Sequence, residues 1–246
     1  MDVLDDLYAR HNVVHLLYSA GKDSELCARL LTPEQRARTV LVWVDTGASL
    51  PEIRDAVFGR AKDFADLVVL YGAQPKWIAE HGFPSDAPIS DSTDDGAYYA
   101  HFRPVVRTCD KYACCRANIW TPLTDWLRDG PATAVIMGDK RADHYGRMEA
   151  AYVFPHKRVE VCHPLEHMTD NEVRECLGRD RDKRFELSHS SVDCWNCTAY
   201  WEAAKSRLAY IEEKHPEAAK RVRAIYMQMR SDLGKAMQGL NFLEDK

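Results

Sequence analysis

The segment SAGKDS, residues 19–24, places two hydroxyls, a lysine and a carboxylate within six residues. An apolar run at residues 13–18 precedes it and predicts a buried strand, and the leucine spacing over residues 24–31 predicts a helix. A strand-to-helix turn directs backbone amides and the positive end of the helix dipole toward one point, and Lys22 adds a full positive charge. The segment therefore predicts a phosphate-binding loop, with an ordinary exposed turn as the alternative.

The loop differs from the Walker A phosphate loop at two positions. Walker A has a glycine five residues before the second glycine, where this chain has Leu16. It also has serine or threonine after the lysine, where this chain has Asp23. A Walker A nucleoside triphosphatase is therefore excluded.

The elements around this loop predict an α/β fold. Further strands are predicted at residues 39–47, 67–71 and 132–138, with helices between them. Alternating strands and helices are typical of parallel β-α-β units, so we expect a doubly wound, mostly parallel sheet. The last part of the chain has helical spacing and predicts a C-terminal helical extension. We divide the chain into residues 1–200, the α/β domain, and residues 201–246, the extension.

Two further helix starts can be read from the sequence. Pro51 suits the first position of a helix, and Thr169 with Glu172 has the spacing of a capping box that begins a helix running to about Gly178. The C-terminal helical stretch is interrupted near Pro216. Its apolar stripe predicts packing within the chain, and a homo-oligomer face is left open.

Composition restricts the class of protein. A net charge of −5 argues against a general polyanion binder, although local basic clusters could hold a nucleotide or an RNA segment. The first residues, MDVLDDLYARHNVV, lack the basic and apolar regions of a signal peptide. No apolar run is long enough to cross a bilayer. We therefore expect a cytoplasmic protein without membrane contact.

The cysteines suggest a metal centre. A cytosolic chain keeps its thiols reduced, so eight cysteines need an explanation other than disulfides. Cys27, Cys162 and Cys176 lie among apolar positions and are predicted to be core residues. The others form two groups, the first being Cys109 with the pair Cys114 and Cys115, and the second being Cys194 with Cys197.

The pair of adjacent cysteines and the CxxC favour a [4Fe–4S] cluster. Thiolates suit either zinc or an iron–sulfur cluster, but adjacent cysteines fit poorly into a zinc ribbon, whose halves are usually both CxxC. Zinc and a site without metal are the alternatives. Cys109 is an additional thiol, which could act as a nucleophile, as a resolving cysteine or not at all.

Several motifs in succession resemble one family. SAGKDS is similar to the pyrophosphatase loop of the adenine nucleotide α-hydrolase superfamily, and VDTGASLPE resembles the segment that follows it in the phosphoadenosine phosphosulfate (PAPS) reductase branch. CCRANIWTPLTDWL, IMGDKRADHYGR, CHPLEHMTDNEV and VDCWNCT then follow in the same order as in adenylylsulfate reductases, which carry a [4Fe–4S] cluster. The resemblance extends over about residues 13–200 and implies an adenine nucleotide α-hydrolase-like fold.

The resemblance implies roles for individual residues. The nucleotide phosphate or sulfate would be held by Ser19, Gly21, Lys22, Asp23 and Ser24. Asp45 and Thr46 would line the nucleotide pocket at the end of the second strand. An anion clamp would be formed by Lys140, Arg141 and Arg147. The cluster ligands would be Cys114, Cys115, Cys194 and Cys197.

One expected residue is missing from the sequence given. Sulfonucleotide reductases attack sulfate with a cysteine in a C-terminal Glu-Cys-Gly segment, whereas the last cysteine here is Cys197. The first hypothesis is therefore an ATP-cleaving, AMP-forming sulfurtransferase of this family. Lys22 and Mg²⁺ would neutralise the pyrophosphate leaving group, and Asp23 or Asp45 would help to place the metal.

Two alternatives are kept. The chain could be a reductase of adenylylsulfate or phosphoadenylylsulfate that uses Cys109 or the thiol of a partner protein. It could also be a metal-stapled, nucleotide-binding subunit without turnover. The sulfur donor or thiol reductant would be a partner protein, and the acceptor could be tRNA, DNA or a small molecule.

Overall fold

The computed structural model describes residues 3–89, 103–143, 148–178 and 192–238. The strands are β1 (Val14–Leu17), β2 (Thr39–Asp45), β3 (Asp66–Tyr71), β4 (Phe83–Ser85), β5 (Thr108–Asp110), β6 (Ala134–Ile136), β7 (Ala151–Phe154) and β8 (Lys157–Cys162). The α-helices are α1 (Val3–Arg10), α2 (Lys22–Leu30), α3 (Pro33–Arg36), α4 (Pro51–Ala61), α5 (Gln74–His81), α6 (Lys111–Cys115), α7 (Thr121–Asp129), α8 (Asp170–Leu177), α9 (Trp201–Lys214) and α10 (Pro216–Met237).

The chain divides into two compact units. The first consists of Met1–Asp45, Ser49–Tyr71 and Thr121–Phe185, and the second of Thr46–Ala48, Gly72–Trp120 and Glu186–Lys246. This division does not coincide with the predicted boundary after residue 200, which stays a prediction.

A six-stranded sheet, in the order β3-β2-β1-β6-β8-β7, forms the centre of the first unit. All neighbouring strands are parallel except the edge pair β7 and β8. The predicted doubly wound, mostly parallel α/β fold is thus confirmed. One apolar cluster beside the sheet consists of Leu127, Ala132, Val135, Val159 and Val161, all of them buried.

The direction in which strands are added to the sheet reverses between β1 and β6. From β1 the chain builds outward through β2 and β3 on one side, then returns to add β6 and β8 on the other. Ligands of open α/β sheets bind beyond the carboxyl ends of the strands at such a switch point. The segments that leave β1 and β6 at this edge contain SAGKDS, residues 19–24, and GDKR, residues 138–141.

The local signals that start helices are found as predicted. Pro51 occupies the first position of α4. The side chain of Thr169 accepts a hydrogen bond from the amide of Glu172, whose carboxylate accepts one from the amide of Thr169. Helix α8 ends at Leu177, with Gly178 as its C-cap. The C-terminal helices meet at Pro216, the first residue of α10.

The second unit contains the parallel two-stranded ribbon β4–β5, helices α5, α6, α9 and α10, and a π-helical turn at Arg116–Trp120. Gly82 has a φ of +91°, and a Cβ there would lie 2.5 Å from the carbonyl oxygen of Arg107. The ribbon therefore depends on glycine at this position, where the amide of Phe83 donates to the same carbonyl. In the described part of the chain, no helix is both long and apolar enough to cross a membrane.

Two of the three predicted core cysteines are buried, Cys27 and Cys162. The prediction for Cys176 is wrong, because this side chain is exposed. In α8, Val173 and Leu177 form the buried stripe. Cys176 lies to one side of that stripe, since successive helical residues are rotated by about 100°.

Candidate functional site

Residues 19–24 form a loop that leaves the first turn of α2 open. Gly21 precedes the first helical residue, Lys22, and no side chain in the described ranges caps this helix start. The amides of the first turn therefore remain available to an anion. Ala20 has a φ of +57°, which is unusual for a residue other than glycine and occurs often at functional sites.

The two serines of the loop hydrogen-bond within it. The Oγ of Ser24 accepts from the amide of Ser19 at 3.3 Å and donates to the carbonyl of Gly21 at 3.1 Å. The Oγ of Ser19 accepts from the amide of Gly21 at 3.3 Å. Ser19 and Ser24 therefore shape the loop, which leaves Lys22 and the helix amides as its donors to a phosphate.

Lys22 lies in a network of two lysines and three aspartates. Its Nζ donates to Asp23 at 2.7 Å and to Asp170 at 2.9 Å. The Nζ of Lys140 lies 3.0 Å from Asp23, 2.7 Å from Asp143 and 3.2 Å from Asp170. Asp23 and Asp170 thus bridge the two ammonium groups, at the start of α2 beside the end of β6.

Hydrogen bonds and ion pairs in the network favour the charged forms of Lys140 and Asp170. Lys140 is only 2% exposed at its side chain, against 15% for Lys22. Burial alone would lower the pKa of Lys140, but the hydrogen bonds to Asp143 and Asp23 outweigh burial and raise it. Burial would likewise raise the pKa of Asp170, yet Lys22 and Lys140 lower it. Lys140 is therefore cationic and Asp170 anionic at neutral pH.

Gly138 permits the close approach of the segment after β6 to α2. A Cβ at Gly138 would lie 3.0 Å from the backbone carbon of Asp23 and 3.0 Å from the amide nitrogen of Ser24. Any side chain here would push the first turn of α2 away from Lys140. This glycine is a site residue that the sequence did not reveal.

The other residues predicted for the nucleotide pocket have different surroundings. Arg141 pairs with Glu166, and Arg147 lies outside the described residues. Asp45 is buried at the end of β2 and pairs with Arg54 at 3.2 Å. Of the predicted anion clamp, the structure therefore brings Lys140 to the loop.

In the second unit, the four predicted cluster ligands line one small pocket of about 20 Å³. We call it the cysteine pocket, and its thiols are those of Cys114, Cys115, Cys194 and Cys197. The CxxC closes a tight turn, in which the amide of Cys197 donates to the carbonyl of Cys194 at 3.0 Å.

Side chains around the cysteine pocket hold its cysteines in position. Asp110 caps α6 by accepting from the amide of Ala113 at 2.8 Å. Buried Asn118, in the π-helical turn, donates to the carbonyl of Cys114 at 2.9 Å and accepts from the amide of Ala73 at 2.9 Å. A π-helical turn is frequent at functional sites.

Thr46 contacts the CxxC segment. The Sγ of Cys194 donates to the Oγ of Thr46 at 3.3 Å, and that hydroxyl donates to the carbonyl of Asp193 at 3.4 Å. Thr46 is 1% exposed. Its side chain therefore supports the cysteine pocket, whereas the sequence predicted that it lines the nucleotide pocket.

Tyr200 follows the CxxC in the chain. Its backbone is left-handed, with φ at +57°, and its hydroxyl lies 3.5 Å from the Sγ of Cys115. The Nζ of Lys111 stands 4.7 Å from the centre of the Tyr200 ring and pairs with Asp86. A strained residue that contacts a pocket thiol suggests a functional constraint.

The donor set of the cysteine pocket suits a thiolate-ligated metal. Both amide atoms of Gln74, which also lines the pocket, are buried and have no hydrogen-bond partner among the residues that the structure describes. A buried amide without a partner is costly, and a bound group would supply one. In the described residues, no three His, Cys, Asp or Glu side chains are arranged to hold a metal, so ligation requires the thiols to change position.

Burial sets the protonation of these thiols. It raises the pKa of Cys114 to about 12, with a further contribution from the neighbouring Cys115, and it raises the pKa of Cys194 well above its usual value. Cys114 and Cys194 are therefore neutral thiols at pH 7 when no metal is present, and metal binding would release their protons.

Cys109 is a poor nucleophile in these surroundings. Its Sγ donates to the carbonyl of Gly82 at 3.2 Å. Burial, and next the carboxylate of Asp110, raise its pKa to about 12. Because the thiolate is the reactive form, little of Cys109 is reactive at neutral pH.

Residues 13–200 match the phosphoadenosine phosphosulfate reductase domain. The chain belongs to this family. Among solved structures, PAPS reductase from Candida auris in a phosphate complex is similar at 11% identity, with a TM-score of 0.49, covering 76% of this chain and 84% of that one. NH₃-dependent NAD synthetase from Campylobacter jejuni in complex with nitrate is similar at 11% identity, with a TM-score of 0.42, covering 96% and 91%. The search of curated proteins finds no match.

Both predicted sites lie within the matched PAPS reductase domain, together with residues that sequence reasoning missed. Asp143 and Asp170 complete the lysine network, and Gln74, Asn118 and Tyr200 surround the cysteines. Asp170 had the clearest signal, because the capping box at Thr169 already placed a helix start there. The others have no distinctive spacing.

Proposed function

We propose that this chain binds an adenine nucleotide at residues 19–24 and cleaves ATP between the α and β phosphates during sulfur transfer. The observation that carries this proposal is the network joining Lys22 and Lys140 to Asp23 and Asp170 at the start of α2. Ammonium groups and helix amides stabilise a pyrophosphate leaving group, while carboxylates are the hard oxygen ligands that Mg²⁺ prefers.

The charge of the network favours a nucleotide that arrives with a divalent cation. With Asp143 included, three aspartates outnumber two lysines, so the network carries a formal charge of −1. A free anion would be repelled by this excess, whereas ATP–Mg²⁺ brings a cation for the carboxylates. Asp23 suits this role better than Asp45, which is buried and paired with Arg54.

The proposed reaction has two steps. An acceptor oxygen attacks the α-phosphorus, the bond to the bridging oxygen breaks, and pyrophosphate leaves with that electron pair. Sulfide then attacks the carbon that bears the adenylylated oxygen, and the carbon–oxygen bond breaks so that AMP leaves with that oxygen and the electron pair. Lys22 and the first-turn amides of α2 would stabilise the charge that develops on the leaving pyrophosphate.

Cys114, Cys115, Cys194 and Cys197 are the proposed ligands of a [4Fe–4S] cluster, with zinc as the alternative. Four soft sulfur donors suit either group, which would bind sulfur or hold the surrounding segments together. The four thiols and the unpartnered amide of Gln74 around one pocket support this assignment.

The surroundings of Cys109 weigh against a reductase that uses this thiol to attack a sulfonucleotide. We also propose a cytoplasmic location, in keeping with eight free cysteines. A sulfur-donor or thiol-reductant protein is the proposed partner, and tRNA, DNA and small molecules are the candidate acceptors.

The test is AMP and pyrophosphate formation by protein purified without oxygen. ATP–Mg²⁺ and sulfide are supplied with pooled tRNA, DNA or small-molecule extract in separate reactions. We expect equal amounts of AMP and pyrophosphate in one pool, loss of both with Lys22→Ala, and no change with Lys76→Ala, an exposed lysine of α5. Sulfite from adenylylsulfate and thiol, without AMP formation from ATP, would instead identify a reductase.

A further inference from the structure

Gln74 stands out among the residues of the cysteine pocket because its side-chain amide makes no hydrogen bond to the described residues of the ligand-free fold. It is the first residue of α5 and is 1% exposed. Its backbone amide donates to the carbonyl of Thr46 at 2.9 Å, but neither Nε2 nor Oε1 has a hydrogen-bond partner within the described part of the chain. Such a group costs about 1–3 kcal/mol.

Two neighbouring polar side chains of the second unit are engaged, whereas the Oδ1 of Asn196, within the CxxC, is buried without a partner among the described residues. Asn118 uses both ends of its amide, toward Cys114 and Ala73. Thr46 bonds to Cys194 and Asp193. An amide left without partners beside these residues indicates that its partner belongs to a bound group rather than to the fold.

We infer that Gln74 is a positioning residue that donates a hydrogen bond to a sulfur atom of the metal centre held by the cysteine pocket. The four thiols around the same pocket make sulfur the acceptor that a bound group would present to the amide Nε2. Hydrogen bonds to ligating sulfur are a known means of retaining and tuning such centres. This inference rests on the metal centre in the proposed function, but not on ATP cleavage.

The inference predicts effects of opposite sign in the two forms of the protein. Gln74→Leu removes the unpartnered amide, so the metal-free protein should keep or gain stability against urea. The same change removes a donor to the bound sulfur, so the protein purified without oxygen should lose its iron or zinc to EDTA about tenfold faster than wild type. Replacing a residue that merely fills space would not give effects of opposite sign in the metal-free and the metal-bound protein.

Gln35→Leu is the matched control. Gln35 is also buried, but its amide accepts from the amide of Thr32 and donates to Asp5. Its replacement should lower the stability of both forms and leave metal release unchanged. Gln74→Glu, which keeps the shape but loses the donor and adds a negative charge beside the thiolates, should release metal at least as fast as Gln74→Leu.

Two results would overturn the inference. One is metal release from Gln74→Leu at the wild-type rate, and the other is a loss of stability in its metal-free form as large as that of Gln35→Leu. A wild-type protein that holds neither iron nor zinc would overturn the inference together with the proposed metal centre. ATP cleavage is assayed separately, so its absence, with Gln74 behaving as expected, would refute only the nucleotide chemistry.

Discussion

Replacing Lys140 with methionine should destabilise the protein far more than the same change at Lys22. Methionine keeps most of the aliphatic stem but removes the charge. Lys140 is 2% exposed and lies within 3.2 Å of three carboxylates, whereas Lys22 is 15% exposed and touches two. The two lysines share Asp23 and Asp170, so the comparison isolates burial and the number of partners.

The magnitude follows from the charges left behind. Removing one partner of a buried ion pair costs about 3–5 kcal/mol. The stranded carboxylates of Asp23, Asp143 and Asp170 are 28%, 46% and 53% exposed, so water can solvate them in part. We therefore expect Lys140→Met to lower the free energy of unfolding by about 2–3 kcal/mol, and Lys22→Met by about 1 kcal/mol or less.

Urea denaturation at 25 °C measures both values, and pH provides a second check. The pKa of Asp170 is lowered in the folded state, so its ion pairs stabilise the fold above its unfolded pKa of about 4 and lose this effect as the pH falls through the lower folded value. The difference between Lys140→Met and wild type should shrink in acid. Equal stabilities for Lys140→Met and Lys22→Met at pH 7 would refute the network as described.

Three further experiments test other parts of the account. Gly138→Ala should weaken ATP–Mg²⁺ binding measured by titration, because its Cβ would meet the backbone of α2 at 3.0 Å. Gly59→Ala, whose Cβ would have no described atom within 4 Å, should leave the affinity unchanged, and equal affinities of the two variants would exclude this constraint. Cys194→Ser should lose the bound metal and any visible absorption from an iron–sulfur cluster, and an unchanged spectrum would remove this residue from the ligands. In the metal-free protein, iodoacetamide should label Cys109 slowly at pH 7, and the rate should rise about tenfold per pH unit toward the pKa of Cys109 at about 12. Exposed Cys176 should react readily, and rapid labelling of Cys109 at pH 7 would show that this thiol is activated.

The central sheet could be predicted because its signals are local. Apolar runs in the sequence marked β1, β2, β3 and β6, and the helices between them implied parallel pairing. The short ribbon β4–β5 and the edge pair β7–β8 were not predicted. β4 and β5 have three residues each and pair with each other across a long stretch of sequence, so their own side chains carry little information.

The positions of the two sites could be predicted, but their supporting contacts could not. SAGKDS at a strand-to-helix turn indicated where an anion would bind, and the cysteine pairs indicated where sulfur would gather. Nothing in the sequence shows that Asp170 bridges Lys22 and Lys140, because those residues come together only when α8 reaches α2. No sequence pattern marks Gln74, since its significance is that its side-chain amide lacks a partner among the described residues.

The most direct test of the nucleotide assignment is a calorimetric titration of the wild-type protein and Lys22→Ala with ATP–Mg²⁺ and, separately, with adenylylsulfate. The account predicts one ATP–Mg²⁺ site per chain, tighter than the site for adenylylsulfate, and a loss of at least about tenfold in ATP affinity with Lys22→Ala. Tight binding of adenylylsulfate with no binding of ATP–Mg²⁺, or ATP affinity that Lys22→Ala leaves unchanged, would contradict it.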